Sequence, residues 1–128
     1  PSGFSLANMI PTVIDDDIAA ARAINRKTLT GYVILPNYRN YWRAAGYVEE
    51  MDALEGVIAS TAKEALAEKL IATMSDKWLD DCTISGSASH VRDRLAAWSA
   101  TGVTPIAVMS STSGGQAKAI GELFAAYQ

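Results

Sequence analysis

Three short β-prone runs, at residues 4–10, 82–85 and 104–109, are each followed by residues with helical spacing. Strands that alternate with helices are parallel and need crossover connections, and such crossovers are right-handed. The expected class is therefore α/β, with a large helical insertion after the first strand. A chain of 128 residues, 49% apolar and 20% charged, is long enough to bury one core, so one domain spanning 1–128 is the expectation.

The first run, FSLANMI, meets Pro11, which limits how far a ladder continues through that point. Asp15, Asp16 and Asp17 then offer an N-cap and negative charge to a helix N-terminus. At 100° per residue Ile18, Ala21, Leu29, Tyr32 and Val33 share a face, with Arg22 and Asn25 inside that stripe, and Pro36 stops the helix near Leu35. Asn37 can cap a short helix in which Tyr38, Tyr41, Trp42 and Ala45 describe one buried face before Gly46 ends it.

Thr61 and Glu64 have the spacing of a capping box, with Leu66, Leu70, Ile71 and Met74 continuing an amphipathic helix across 56–74. Ser75 can cap a turn through Trp78 and Leu79. Ser87 or Ser89 can cap a helix whose Val91, Leu95 and Trp98 lie on one side until Gly102, with His90 exposed or capping in its first turn. Ala117, Ile120, Phe124 and Tyr127 line a closing helix.

A net charge of -3 gives no basic footprint for nucleic acid. The longest apolar runs, Gly31 to Leu35 and Val103 to Met109, fall far short of the roughly 20 residues of a membrane helix. One cysteine, Cys82, and no signal-peptide pattern suggest a reducing cytosol. With a single histidine beside it, zinc spacings are absent and no metal site is expected. The first residue is Pro rather than Met, which suggests a processed or trimmed end or a piece of a longer reading frame.

Candidate chemistry is sparse. The loop SSTSGGQ follows the third run, and its backbone N–H groups at a helix start could surround an anion, which makes Ser110, Ser111, Gly114 and Gly115 the cofactor-binding candidates. The loop lacks P-loop or G-x-G-x-x-G spacing, so a plain surface connection competes with that reading. Asp80 and Asp81 read as solvated, no G-x-S-x-G occurs, and no catalytic residue is assigned.

Two blocks, VIDDDIAAARAINRKTLTGYVILPNYRNYWRAAGY (13–47) and GSASHVRDRLAAWSATGVTPIAVM (86–109), and their order resemble the C-terminal part of the bacterial-luciferase-like flavin-dependent monooxygenases and their deazaflavin-dependent relatives. The matching positions are Asp17, Tyr32, Pro36, Tyr38, Trp42 and Gly46, then Gly86, Ser87, Val91, Leu95, Gly102 and Val103; Ala88 and His90 depart from the pattern. The resemblance implies the last three strand-helix units of a (β/α)8 TIM barrel. It also implies an oxidoreductase using FMN or a deazaflavin coenzyme on a small-molecule substrate, with most flavin contacts in the missing part. Active sites of such barrels lie at the carboxyl ends of strands. That leaves Pro11 to Ile14, Ser85 to Ser87 and Met109 to Ser111 as positions able to face a ligand. A truncated enzyme is one reading; a non-catalytic module that forms homo-oligomers or binds a partner is the other, because an open parallel sheet leaves edges and a face to cover.

Overall fold

The computed structural model describes Gly3 to Gln128. The elements run β1 (Ala7–Ile14), α1 (Ile18–Val33), α2 (Pro36–Ala44), α3 (Val48–Ser60), α4 (Lys63–Thr73), α5 (Asp76–Cys82), β2 (Ile84–Gly86), α6 (Ala88–Ala100), β3 (Thr104–Ser110) and α7 (Gln116–Ala125). The expected α/β class holds, with three parallel strands in an open sheet. Contacts divide the chain into two compact units, one of Pro1–Asn25 with Cys82–Gln128 and one of Arg26–Asp81.

The first unit contains the sheet, in the order β2-β1-β3. In a closed barrel successive strands are neighbours, whereas here the first strand lies between the other two. The crossover from β1 to β2 and the one from β2 to β3 therefore run in opposite directions. Right-handed connections then put α6 on the face opposite the one reached by the start of α1.

Register identifies those faces. Ile10 and Ile14 of β1 share one with Ile84 and Ala107, and these pack with Val91, Leu95 and Trp98 of α6 and Leu123 of α7. The other face carries Val13 and Ser85, which are buried, and Met9 and Ile106, which are 66% and 46% exposed. Asn25 of α1 reaches it, donating from Nδ2 to Ser85 Oγ at 2.8 Å and to the Ile84 carbonyl at 3.1 Å.

Strand limits differ from the sequence reading. β1 begins at Ala7 rather than residue 4 and runs through Pro11 to Ile14. The Asp15 N–H donates to Gly86 O, so by alternation position 11 also faces β2, whose ladder starts only at Thr12. A residue without an N–H at 11 thus forfeits no ladder bond on that side. β2 is Ile84–Gly86 rather than 82–85, because α5 carries on to Cys82. β3 extends one residue beyond 109.

Local start and stop signals mostly hold. Asp17 Oδ1 accepts the N–H groups of Ala19 and Ala20, Ser75 Oγ accepts that of Trp78, and Ser87 Oγ that of His90. Gly46 and Gly102 adopt φ of 104° and 84°, where a side chain is strained. Two caps are corrected. Leu35 occupies the N-cap of α2 with Pro36 at its first helical position, which suits a residue lacking an N–H, so Asn37 does not cap. The 56–74 helix breaks at Thr61 and Ala62, both extended; Ala62 is the N-cap of α4, and buried Thr61 Oγ1 has no partner, so no capping box forms.

Within the second unit the aromatic stretch packs as a chain of rings. Tyr32 meets Tyr38 edge-on at 5.1 Å, Tyr38 lies 5.9 Å from Trp42, and Trp42 meets Trp78 edge-on at 5.0 Å. The expected stripe is corrected, since Trp42 is buried while Tyr41 is 63% exposed and Ala45 is exposed. Arg39 takes part of that buried face, donating from Nη1 to Val33 O at 2.7 Å and from Nη2 to Glu55 at 3.2 Å. Arg43 pairs with Asp52 and Glu55, and these guanidinium groups hold the Glu55 carboxyl below its ordinary pKa. Asp81 accepts from Tyr47 Oη and Lys77 Nζ, each at 2.7 Å, and is thus more engaged than a merely solvated carboxylate.

Candidate functional site

Three connections in the first unit meet at the carboxyl edge of the sheet: the one leaving β1, the one leaving β2 and the one leaving β3. In open α/β sheets this edge, at the point where strand order reverses, is where ligands bind. Asp15 ties the three together. Its N–H donates to Gly86 O at 2.9 Å, its Oδ1 accepts the Asp17 N–H at 2.8 Å, and its Oδ2 accepts the Thr112 hydroxyl. Gly86 has φ 145°, a backbone conformation that favours glycine, and a Cβ there would stand 3.2 Å from Cδ2 of the exposed His90, whose ring would have to give by a few tenths of an ångström.

The Thr112 hydroxyl, then the Asp17 N–H, hold the Asp15 carboxyl below its ordinary pKa; partial burial opposes them and the Lys118 charge assists. Asp15 is therefore a standing anion and hydrogen-bond acceptor at neutral pH. It is poorly suited to donate a proton.

Beyond Thr112, Ser111 Oγ accepts the Ser113 N–H at 3.3 Å, and Lys118 Nζ donates to Ser113 Oγ at 2.9 Å while pairing with Glu122 at 2.8 Å. Ser110 closes β3 in register with Val13. Gly114 and Gly115 are exposed; a Cβ on Gly114 would stand 2.6 Å from Lys118 Cδ, whereas Gly115, the N-cap of α7, has open space and an ordinary φ of -87°. The structure thus brings Ser110, Ser111, Gly114 and Gly115 to the edge where barrel and open-sheet enzymes alike bind ligands. Of the other positions expected to face a ligand, Thr12, Val13 and Ser85 are buried.

Sequence reasoning missed Asp15, Thr112 and Lys118 as members of this cluster. A carboxylate immediately after a strand was the available signal for Asp15, although it also fits capping. Among the described residues no group of three His, Cys, Asp or Glu side chains is placed to hold a metal ion.

An open groove of about 720 Å³ lies elsewhere in the unit, between α6 and α7 and lined by Leu95, Pro105, Ala107, Leu123 and Tyr127. Arg92 on its wall donates to Ala126 O at 3.0 Å. The polar cluster and the Asp15 carboxyl with its lowered pKa lie instead at the carboxyl edge.

No protein-family profile matches the chain. No solved structure matches it. A Mycobacterium tuberculosis protein named "Putative coenzyme F420-dependent oxidoreductase" is 30% identical over 116 residues, which cover 86% of this chain and 32% of that protein. The chain thus spans about a third of the length of that relative. No helix is long and apolar enough to cross a membrane among the described residues.

Proposed function

We propose that this chain is a segment of a luciferase-like, deazaflavin-dependent oxidoreductase, and that its carboxyl-edge loops form part of the polar wall of the substrate and cofactor pocket. The observation that carries the reading is the similarity across 86% of the chain to a protein of that name. FMN is the other coenzyme consistent with the resemblance. A cytosolic location belongs to the same proposal.

The residues present do not by themselves fit the coenzyme's phosphate. Asp15 is a standing anion beside the loop, and its like charge opposes a phosphate there. Lys118, the cation of the loop, is already engaged by Glu122 and Ser113. No redox step is therefore derived from this chain, because such chemistry belongs to the coenzyme once a cavity holds and orients it. Further donors would have to come from outside this segment.

The exposed sheet residues Met9 and Ile106 favour a second reading, a non-catalytic module that associates through its sheet. Titrating the purified chain with coenzyme F420 and, separately, FMN separates the two, with fluorescence quenching and light scattering on one sample. Saturable micromolar quenching supports the oxidoreductase reading. A folded, associated chain that binds neither coenzyme overturns it in favour of the module.

A further inference from the structure

We propose that the rings of the second unit form a one-electron relay, which carries an oxidising equivalent from the buried Trp78 through Trp42 to tyrosines at the surface. The rings follow one another from inside to outside: Trp78 is fully buried, Trp42 buried, Tyr38 half-buried and Tyr32 exposed. Neighbouring centroids along that order are 5.0, 5.9 and 5.1 Å apart, and the exposed Tyr41 branches from Trp42 at 6.1 Å. Edge-on pairs at such distances are in themselves ordinary packing. Here, however, every ring is a Tyr or Trp, able to give up an electron, while both phenylalanines, Phe4 and Phe124, belong to the first unit.

Burial gives the relay its direction. When a one-electron oxidant such as a peroxyl radical takes an electron from Trp78, the ring is left as a radical cation. Its indole N–H has no hydrogen-bond partner among the described residues, so no acceptor is at hand for the proton and the charge stays on the ring. An isolated charge in an apolar interior is costly, and an electron from Trp42 moves that charge one ring nearer to water. Tyr38 or Tyr41 then gives an electron to Trp42 and its phenolic proton to solvent, leaving a neutral tyrosyl radical, a weaker oxidant than the tryptophanyl radical. Tyr32 can in turn reduce Tyr38, which recovers a proton from solvent. Tunnelling falls off steeply with distance, so these short steps outrun one long jump. A thiol in solution restores the last tyrosine with one electron and one proton. The oxidant has then gained one electron, and the core indoles are unchanged.

Laser photoionisation of tryptophan followed by transient absorption tests the relay. A Trp98→Phe background leaves Trp42 and Trp78 as the only indoles. Their radical band should decay in a first-order step that matches a delayed rise of the tyrosyl band, at a rate independent of protein concentration. Adding Tyr38→Phe and Tyr41→Phe keeps the rings beside Trp42 but removes their oxidisable hydroxyls. The delayed rise should then be lost and the tryptophanyl radical should persist. No delayed rise in the Trp98→Phe chain, or a rate that scales with its concentration, overturns the relay without recourse to the further variants. A rise that survives both added substitutions overturns it as well. No coenzyme enters the measurement, so its outcome is independent of the oxidoreductase reading.

Discussion

The Thr112 hydroxyl donates a hydrogen bond to the carboxylate of Asp15, 97 residues away in sequence, and this bond heads the forces that keep Asp15 ionised. Because the folded pKa is depressed, the associated stability is fully present above the unfolded value of about 3.9 and is lost as pH falls through the folded one. Thr112→Val should therefore lower the urea midpoint at pH 7, with the gap to the parent closing in the acid range below the ordinary carboxylate pKa. A gap of the same size in acid would show that the hydroxyl does not serve the charge. Asn25 makes a sharper demand, since it is fully buried and its amide donates to both Ile84 and Ser85. Asn25→Ala should cost about 1–3 kcal/mol in denaturant unfolding, the range for leaving buried partners unsatisfied. Neither partner was legible in the sequence. Asn25 was visible as a polar residue inside an apolar stripe, and Asp15 as part of an acidic run, but hydrogen bonds across more than fifty residues leave no periodic trace.

At the scale of elements, local signals were the readable ones. Ser75, Ser87, Gly46 and Gly102 act within one helical turn, so their chemistry is complete within a few residues of sequence. Periodicity is weaker evidence, because it shows that a helix is amphipathic and not that something covers its apolar side: Phe124 of α7 is 69% exposed despite lying on the expected stripe with Ile120 and Tyr127. The inward contacts of α7 are instead Ala119, which is buried, and Leu123, which packs against the core, each one position before a member of that stripe. The start of α4 gives a direct test of pattern against geometry. Since Thr61 Oγ1 is buried without a partner, Thr61→Val should leave stability unchanged or raise it, whereas Ala62→Asp supplies the missing cap and should add about 0.5–2 kcal/mol. Paired thermal melts of the two variants decide it; a clear loss on Thr61→Val would restore the capping box.

For the whole molecule, the class and the parallel strands were legible because alternation of strand and helix is written along the chain. The strand order was not, since it depends on which β-prone run finds which neighbour, and the three runs are alike in composition. The division into two units was equally hidden: it falls inside α1, between Asn25 and Arg26, where helical periodicity passes without interruption. The central place of β1 has a consequence for how the chain is made. β1 and its longer neighbour, β3, are far apart in the order of synthesis, with 97 residues separating Ala7 from its partner Thr104. At roughly 5–20 residues per second, β1 waits about 5–20 s of synthesis before that neighbour exists. Closing so long a loop also makes the pairing slow by topology. During that interval the apolar middle strand is open to capture by chaperones, and a transcript cut short before β3 yields a product whose central strand has only the three residues of β2 beside it.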